Sequence, residues 1–247
     1  MKIALLGYGK MGRIIEQFAV DRGHEIVLKI DENNLAEKTT ENLKEADVAI
    51  DFSVPQTAIP NIELCFEAGV PLVMGTTGWY EQLEDVKKKC IDGNNSFLYA
   101  SNFSVGVNVF FFVNKVLAKI MNRYPQYEVQ VEEIHHTQKL DSPSGTAITI
   151  AEGIMEGVES KKEWVNELVG EGDEVIARAD QLLIESHRIE DVPGTHTVIY
   201  SSEVDDIEFK HTAHNRAGFA LGAVLAAEWL NGKKGFYTAK DMFDFNI

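Results

Sequence analysis

The sequence predicts a two-part α/β protein: a doubly wound parallel sheet with helices on both faces, joined to a second α+β unit built on a mixed sheet. Two contrasts carry this. In the first hundred or so residues short apolar runs alternate with helical stretches, whereas beyond about residue 104 long strands follow one another with few helices between them. Continuous apolar strands suit a parallel sheet covered on both sides, and alternating strands suit a half-buried one.

Residues 3–6, 26–30, 48–52, 72–74 and 97–99 are apolar runs bounded by Gly, Asp, Asn or Pro, and are expected as strands. Between them, 11–20, 57–68 and 80–89 carry apolar residues at spacings of three and four and are expected as helices. Residues 105–121 form a long apolar helix, interrupted by Asn108, Asn114, Lys115 and Lys119, which excludes a membrane span. Residues 127–134 alternate as a half-buried strand. Residues 144–155 form a helix with Ala147, Ile150, Ala151, Ile154 and Met155 on one side. Three further strands are expected at 181–189, 196–201 and 207–212, with Asp191 to Gly194 turning between the first two. A last helix, 217–230, is apolar nearly all round and is expected to return to the first domain. The expected division is 1–104 plus 215–247 for one domain and 105–214 for the other.

Composition limits the function. Of 247 residues 45% are hydrophobic and 25% charged, as in an ordinary globular protein. The 23 Lys+Arg against 39 Asp+Glu give a formal net charge of -16, which argues against nucleic acid and anionic membranes as partners. The two cysteines, Cys65 and Cys90, show no metal-like spacing and require no oxidising compartment. The chain starts directly in a strand without a leader pattern, and a cytoplasmic location is expected.

Gly7-Tyr8-Gly9-Lys10-Met11-Gly12 follows a predicted strand and opens a predicted helix, the context of a dinucleotide-binding, Rossmann-like loop. Its first glycine makes the turn, its second admits the pyrophosphate, and its third lets helix and strand pack. Asp31, at the end of the second strand, suits a ribose 2′-hydroxyl. The stretch Asp31 to Asn34 holds no Arg or Lys for a 2′-phosphate, which favours NADH, although Lys10 and Arg13 leave NADPH open. Two later strand ends, Gly75-Thr76-Thr77 and Ala100-Ser101-Asn102-Phe103, are candidates for the nicotinamide half, because ligands of open parallel sheets bind beyond the carboxyl ends of strands.

The chemistry concentrates between 133 and 147. His135, His136 and Lys139 fall within five residues, directly ahead of Ser144-Gly145-Thr146, which is built to open a helix. A cationic cluster beside a helix N-terminus makes a pocket for a small anion, and the same groups are proton donors. Zinc is not expected, since no HExxH or Cys/His pattern is present, and Ser144 lacks the GxSxG turn of a hydrolase. A reductase acting on a small acidic metabolite is the reading these residues support.

As a unit, Glu133-Ile-His135-His136-Thr-Gln-Lys139-Leu-Asp141-Ser-Pro-Ser144-Gly145-Thr146-Ala147 resembles the signature of the dihydrodipicolinate reductases, E-[IL]-H-H-x-x-K-x-D-A-P-S-G-T-A. It departs only at Ser142, where alanine is commoner. The resemblance extends to Gly7 through Gly12, Asp51-Phe-Ser53, Gly75-Thr-Thr-Gly78, Asn102-Phe-Ser-Val-Gly106, Gly194-x-His196-Thr-Val198 and Arg216. It implies hydride transfer from NADH or NADPH to a cyclic dicarboxylate in the diaminopimelate route of lysine biosynthesis. It further implies His135 as proton donor, Lys139 as second acid or electrostatic partner, and His136, Ser144, Gly145 and Thr146 around the substrate carboxylates. It implies a homotetramer and no metal. The sequence leads one to expect the two domains to close over the bound pair, with hinges near 102–106 and 214–216. Two rivals fit less well. A phosphorylating semialdehyde dehydrogenase needs a nucleophilic cysteine in a convincing site, and a cofactor-sensing regulator would be expected to have lost His135 or Lys139.

Overall fold

A computed structural model describes residues 1–170 and 177–245, and the chain divides into two compact units, Met1–Asn108 with Arg216–Ile247, and Val109–Asn215. The first unit begins β1 (Lys2–Leu6), α1 (Lys10–Asp21), β2 (Glu25–Ile30), α2 (Thr40–Leu43), β3 (Val48–Asp51), α3 (Pro55–Ala68), β4 (Leu72–Met74), α4 (Leu83–Asp92) and β5 (Ser96–Tyr99). A 3-10 turn, Tyr80–Gln82, precedes α4, so the expected helix over 80–89 starts later and tighter than its pattern suggested. The short α2 escaped the sequence reading, since four residues carry too little periodicity. Its N-cap Thr39 accepts a hydrogen bond from the Asn42 amide. Helix α3 starts on Pro55 and ends on left-handed Gly69, as helix-terminus chemistry favours.

Helix α5 (Val105–Met121) leads into the second unit, which holds β6 (Glu128–His135), α6 (Gly145–Met155), β7 (Glu163–Leu168), β8 (Gln181–Arg188), β9 (Gly194–Ser201) and β10 (Asp206–Ala213). Its sheet runs β10-β9-β6-β8-β7, with β6 parallel to β8, β8 parallel to β7, and β9 antiparallel to both β6 and β10. The mixed sheet is as expected, but two details differ. The turn through Asp191 joins β8 to β9 across β6 rather than between neighbours. Strand β7 was not foreseen, because Glu-Trp-Val-Asn-Glu-Leu at a sheet edge has no clean alternation. On one face, Val129 and Val131 of β6 pack with Ile150 and Ile154 of α6 and Phe110 and Ala118 of α5.

The chain then returns through α7 (Ala217–Leu230), β11 (Gly235–Thr238) and α8 (Ala239–Met242) to the first unit, whose sheet is wholly parallel in the order β11-β5-β4-β3-β1-β2. Alternation along β1 divides its side chains between two layers. Ala4 and Leu6 join Ala58 and Ile62 of α3 and Val86 of α4, while Ile3 and Leu5 join Ile15 of α1 and Ala223 and Val224 of α7. Because β1 lies between β2 and β3, the chain leaves it in both directions across the sheet, and the crevice beyond its carboxyl end is where such folds take ligands. Strand β11 is a further element the sequence did not announce, its four residues all being half-buried at the edge.

Candidate active site

The turn from β1 into α1 is closed below and open above. Gly7 adopts φ +92°, and a Cβ there would lie 2.3 Å from the Phe52 carbonyl oxygen. A Cβ on Gly12 would come within 2.7 Å of the Gly7 carbonyl, yet one on Gly9 would meet nothing within 4 Å. Helix α1 has Gly9 as N-cap, no capping side chain and no acidic residue in its first turn, so its positive end is left for an anion. Lys10, Met11 and Gly12 form that first turn. A cavity of about 570 Å³ opens over the loop, lined by Gly7, Tyr8, Gly9, Arg13, Asp31 and Lys38 among others. Tyr8 donates its hydroxyl to Glu16 while the Arg13 guanidinium carbon lies 4.9 Å over its ring. Open space above Gly9, a free helix end and Asp31 at the rim form a donor and acceptor set that fits a dinucleotide.

Lys38 is a cation the sequence reading overlooked, because it lies seven residues past Asp31 rather than beside it. The structure fixes it through a buried chain. Lys38 Nζ donates to Asn61 Oδ1 at 2.8 Å, and Asn61 Nδ2 donates to Asp51 Oδ2 at 2.6 Å. Asp51 is fully buried and also accepts from Thr76 Oγ1 at 2.7 Å and Ser53 Oγ at 2.7 Å. Thr76 thus spends its hydroxyl on the scaffold. Gly75 lies beneath the Phe52 ring, which a Cβ would approach to 2.3 Å. After β5, Ala100 and Phe103 are buried in the core and Asn102 Oδ1 accepts from the Ser104 amide, while Thr77 and Ser101 are exposed. What most of these strand-end residues can offer a ligand is backbone.

In the second unit the central strand β6 ends in the reactive cluster. Ser144 caps α6, accepting from the Ala147 amide at 3.1 Å, and the first turn of α6 carries no acidic residue. A Cβ on Gly145 would meet nothing within 4 Å, so that helix end is open to an anion. Thr146 is half-buried beside it. His135 is buried at the end of β6, and His136, the next residue, is half-buried beyond it. Lys139 Nζ is held by both Asp141 carboxylate oxygens at 2.9 Å, a local pairing that an incoming carboxylate must replace. Ser144, Gly145 and Thr146 thus form the α6 N-terminus, His135 joins Ser144 through their shared neighbour Glu133, and Lys139 is paired with Asp141 in the connecting segment.

Four residues complete the cluster that the signature alone did not bring together as neighbours. Glu133, fully buried, accepts from the Ser144 amide at 3.1 Å through each oxygen and from Ser186 Oγ at 2.8 Å. Its carboxylate lies 3.5 Å from His135 Nδ1, 3.7 Å from His196 Nε2 and 3.7 Å from Arg188 Nη1. His196 Nε2 in turn lies 3.1 Å from Ser144 Oγ. Burial alone would raise the Glu133 carboxyl, but the nearby His196 and hydrogen bonds from Ser144 and Ser186 outweigh it and hold it down at about 2. His135 goes the other way from its expected range. Burial, reinforced by His196, Lys139 and Arg188 and opposed by Glu133, pushes its imidazole down to about 4. The free protein thus holds a neutral imidazole near neutrality, where an unperturbed histidine would titrate at about 6.5. His196 stood in a quoted motif without a role, and Ser186 and Arg188 carried no sequence signal.

The sequence was compared with known proteins. Family profiles described as dihydrodipicolinate reductase, N-terminus, and dihydrodipicolinate reductase, C-terminus, match residues 1–103 and 106–243. A 4-hydroxy-tetrahydrodipicolinate reductase of Christiangramia forsetii is 51% identical over 98% of this chain and 97% of its own. One of Archaeoglobus fulgidus is 34% identical over 99% and 100%. Among solved structures, a dipicolinate-bound dihydrodipicolinate reductase from Paenisporosarcina sp. TG-14 shares the fold, with a TM-score of 0.77 at 22% identity and 98% of each chain covered.

Proposed function

The chain belongs to the dihydrodipicolinate reductase family, and from that premise we propose that it reduces 4-hydroxy-tetrahydrodipicolinate to tetrahydrodipicolinate in the diaminopimelate route of lysine biosynthesis. One observation carries the assignment to substrate: a helix end open at Gly145, a lysine and a buried imidazole belong to one segment, which is what a small dicarboxylate that accepts a proton requires. The α6 N-terminus with Ser144, Gly145 and Thr146 holds one carboxylate, and Lys139, released from Asp141, and His136 hold the other. When bound, the nicotinamide supplies the hydride. The 4-hydroxyl leaves as water together with a hydrogen from the neighbouring ring carbon, and His135 supplies the proton that accompanies the hydride, so one hydride and one proton are consumed per turnover. A dianion beside His135 favours the imidazolium that the free protein disfavours.

The loop Gly7 to Gly12, Asp31, the strand-end residues Gly75 to Thr77 and Ala100 to Phe103 are assigned to the cofactor. We assign NADH as the better of the two cofactors, on Asp31 at the rim, so that kcat/KM for NADH over NADPH exceeds one; a ratio of one or less in steady-state assays refutes it. The sheet face opposite α5 and α6 carries Gln130, Glu132, Ile134, Glu185 and His187, all half-buried, and is assigned to assembly of a homotetramer, which light scattering of the purified protein checks. Among the described residues no helix is long and apolar enough to cross a membrane, and a cytoplasmic location is part of the proposal.

The deciding assay follows NADH oxidation with the product of dihydrodipicolinate synthase generated in situ and pyridine-2,6-dicarboxylate as competitor. Turnover inhibited by that competitor is the expected result. No turnover there, with turnover on another carbonyl substrate, overturns the substrate assignment.

A further inference from the structure

We propose that Glu133 is the positioning residue of the proton donor: a permanently ionised carboxylate that fixes which nitrogen of His135 carries its resting proton and stabilises the imidazolium formed when substrate binds. The inference rests on the reaction assigned above. Three elements converge on the carboxylate: the α6 N-terminus through Ser144, β8 through Ser186 and Arg188, and β9 through His196. A buried carboxylate is costly unless it is paired. A helix cap and one hydroxyl already satisfy it as an acceptor, yet it is also surrounded by three cationic or protonatable groups at 3.5 to 3.7 Å. Arg188 is committed elsewhere, donating to the carbonyls of Lys139, Asp141 and His187. The two imidazoles are the groups left to respond to its charge.

The geometry of His135 gives that charge a use. Its Nδ1 faces Glu133 at 3.5 Å and has no closer partner among the described residues. Its Nε2 faces Gly194, where a Cβ would lie 3.1 Å away, so only glycine leaves that edge of the ring unobstructed. Nδ1 therefore keeps its hydrogen toward the carboxylate. Nε2 takes a proton from solvent when the dianion arrives and gives it to the substrate, returning the neutral ring while Glu133 stays ionised. Against Glu133 stand burial, the largest influence, and then His196, Lys139 and Arg188, which all disfavour the imidazolium. A bound dicarboxylate offsets the lysine and adds its own negative charge to that of Glu133, so the two together act against the cost of burial.

The test is a histidine-resolved NMR titration with and without pyridine-2,6-dicarboxylate, run beside the pH profile of kcat, in the parent, Glu133→Gln and Ser186→Ala. In Glu133→Gln the His135 midpoint and the high-pH limb of kcat both move down by about one unit, a tenfold loss of kcat near neutrality. KM changes less than about threefold, and acidification restores the rate. Ser186→Ala removes one donor from the carboxylate, leaves more charge on it, and moves both midpoints slightly upward; it serves where Glu133→Gln does not fold. Unmoved midpoints in both variants, or a loss of kcat uniform across pH, reduce Glu133 to a helix cap and overturn the proposal. Failure of pyridine-2,6-dicarboxylate to bind the parent at all overturns the substrate assignment instead.

Discussion

The two candidate ligand regions of this chain are built in opposite ways. The loop after β1 works by omission, with glycines that leave backbone amides and space above Gly9. The cluster at the end of β6 works by crowding, with a carboxylate, two imidazoles, a guanidinium and two hydroxyls packed around one helix end. The first needs only local chain geometry. The second needs a sheet topology that sets β6 between β9 and β8. Omission is therefore fragile to added atoms, and crowding is fragile to lost charge.

The strongest way to break the crowded region is to remove its acid. His135→Ala should lower kcat about 10²- to 10⁴-fold with a much smaller change in KM, the usual cost of losing one general acid. Lys139→Ala should damage both, since the proposed function has it bind as well as polarise. A His135→Ala enzyme within about threefold of the parent in steady-state kinetics would remove the residue from that role.

The omitted region should separate folding from binding. Gly7→Ala places a Cβ 2.3 Å from the Phe52 carbonyl at φ +92° and should destabilise the unit, seen as a lowered Tm. Gly9→Ala meets nothing within 4 Å and should keep its Tm, yet raise KM for NADH about tenfold by filling the space reserved for the pyrophosphate. Equal Tm losses in both variants would erase the distinction.

This contrast also explains what was legible in the sequence. The Gly7 to Gly12 loop and the parallel strands before residue 100 were readable because each depends on neighbours a few positions away. His135, Lys139 and Ser144 were readable as a contiguous signature. Ser186 and Arg188 were not, because a serine and an arginine in an alternating strand carry no signal until β8 is known to lie beside β6. Strand β7 and strand β11 were missed for a related reason: edge strands are half-buried and lose the alternation that marks a strand. The neutral state of His135 was out of reach altogether, since it follows from burial and from His196, fifty positions and more away.

The crowded region should also set the acid limit of the fold. Glu133 is held at about 2 against an ordinary 4.5, and His135 at about 4 against an ordinary 6.5. Both sites bind protons more readily in the unfolded chain, so their stabilisation is complete above about pH 6.5 and is lost on acidification. His135 gives up its part between about 6.5 and 4, and Glu133 its part between about 4.5 and 2. Thermal unfolding followed through Trp164 of the second unit should show Tm falling across that range. His135→Asn should flatten the slope between pH 6.5 and 4. A slope unchanged by that substitution would mean the imidazole is not the group being titrated.

The smallest expected effect falls where the two designs meet in miniature. Lys38 is a charged side chain placed inside the region of omission, and it is held there by Asn61 and the buried Asp51 rather than by the loop. Asp31 on the same cavity favours a free ribose hydroxyl and repels a 2′-phosphate, while Lys38 attracts one. Removing the lysine therefore spares the proposed NADH contacts and takes one compensating cation away from NADPH, with Arg13 remaining on the same cavity. Lys38→Gln should lower kcat/KM for NADPH about three- to tenfold, with less than about twofold change for NADH, because a solvent-accessible charge pair contributes on the order of 1 kcal/mol. Steady-state assays with both cofactors decide it. A parallel loss for the two would make Lys38 part of the scaffold, and the cofactor preference would then rest on Asp31 alone.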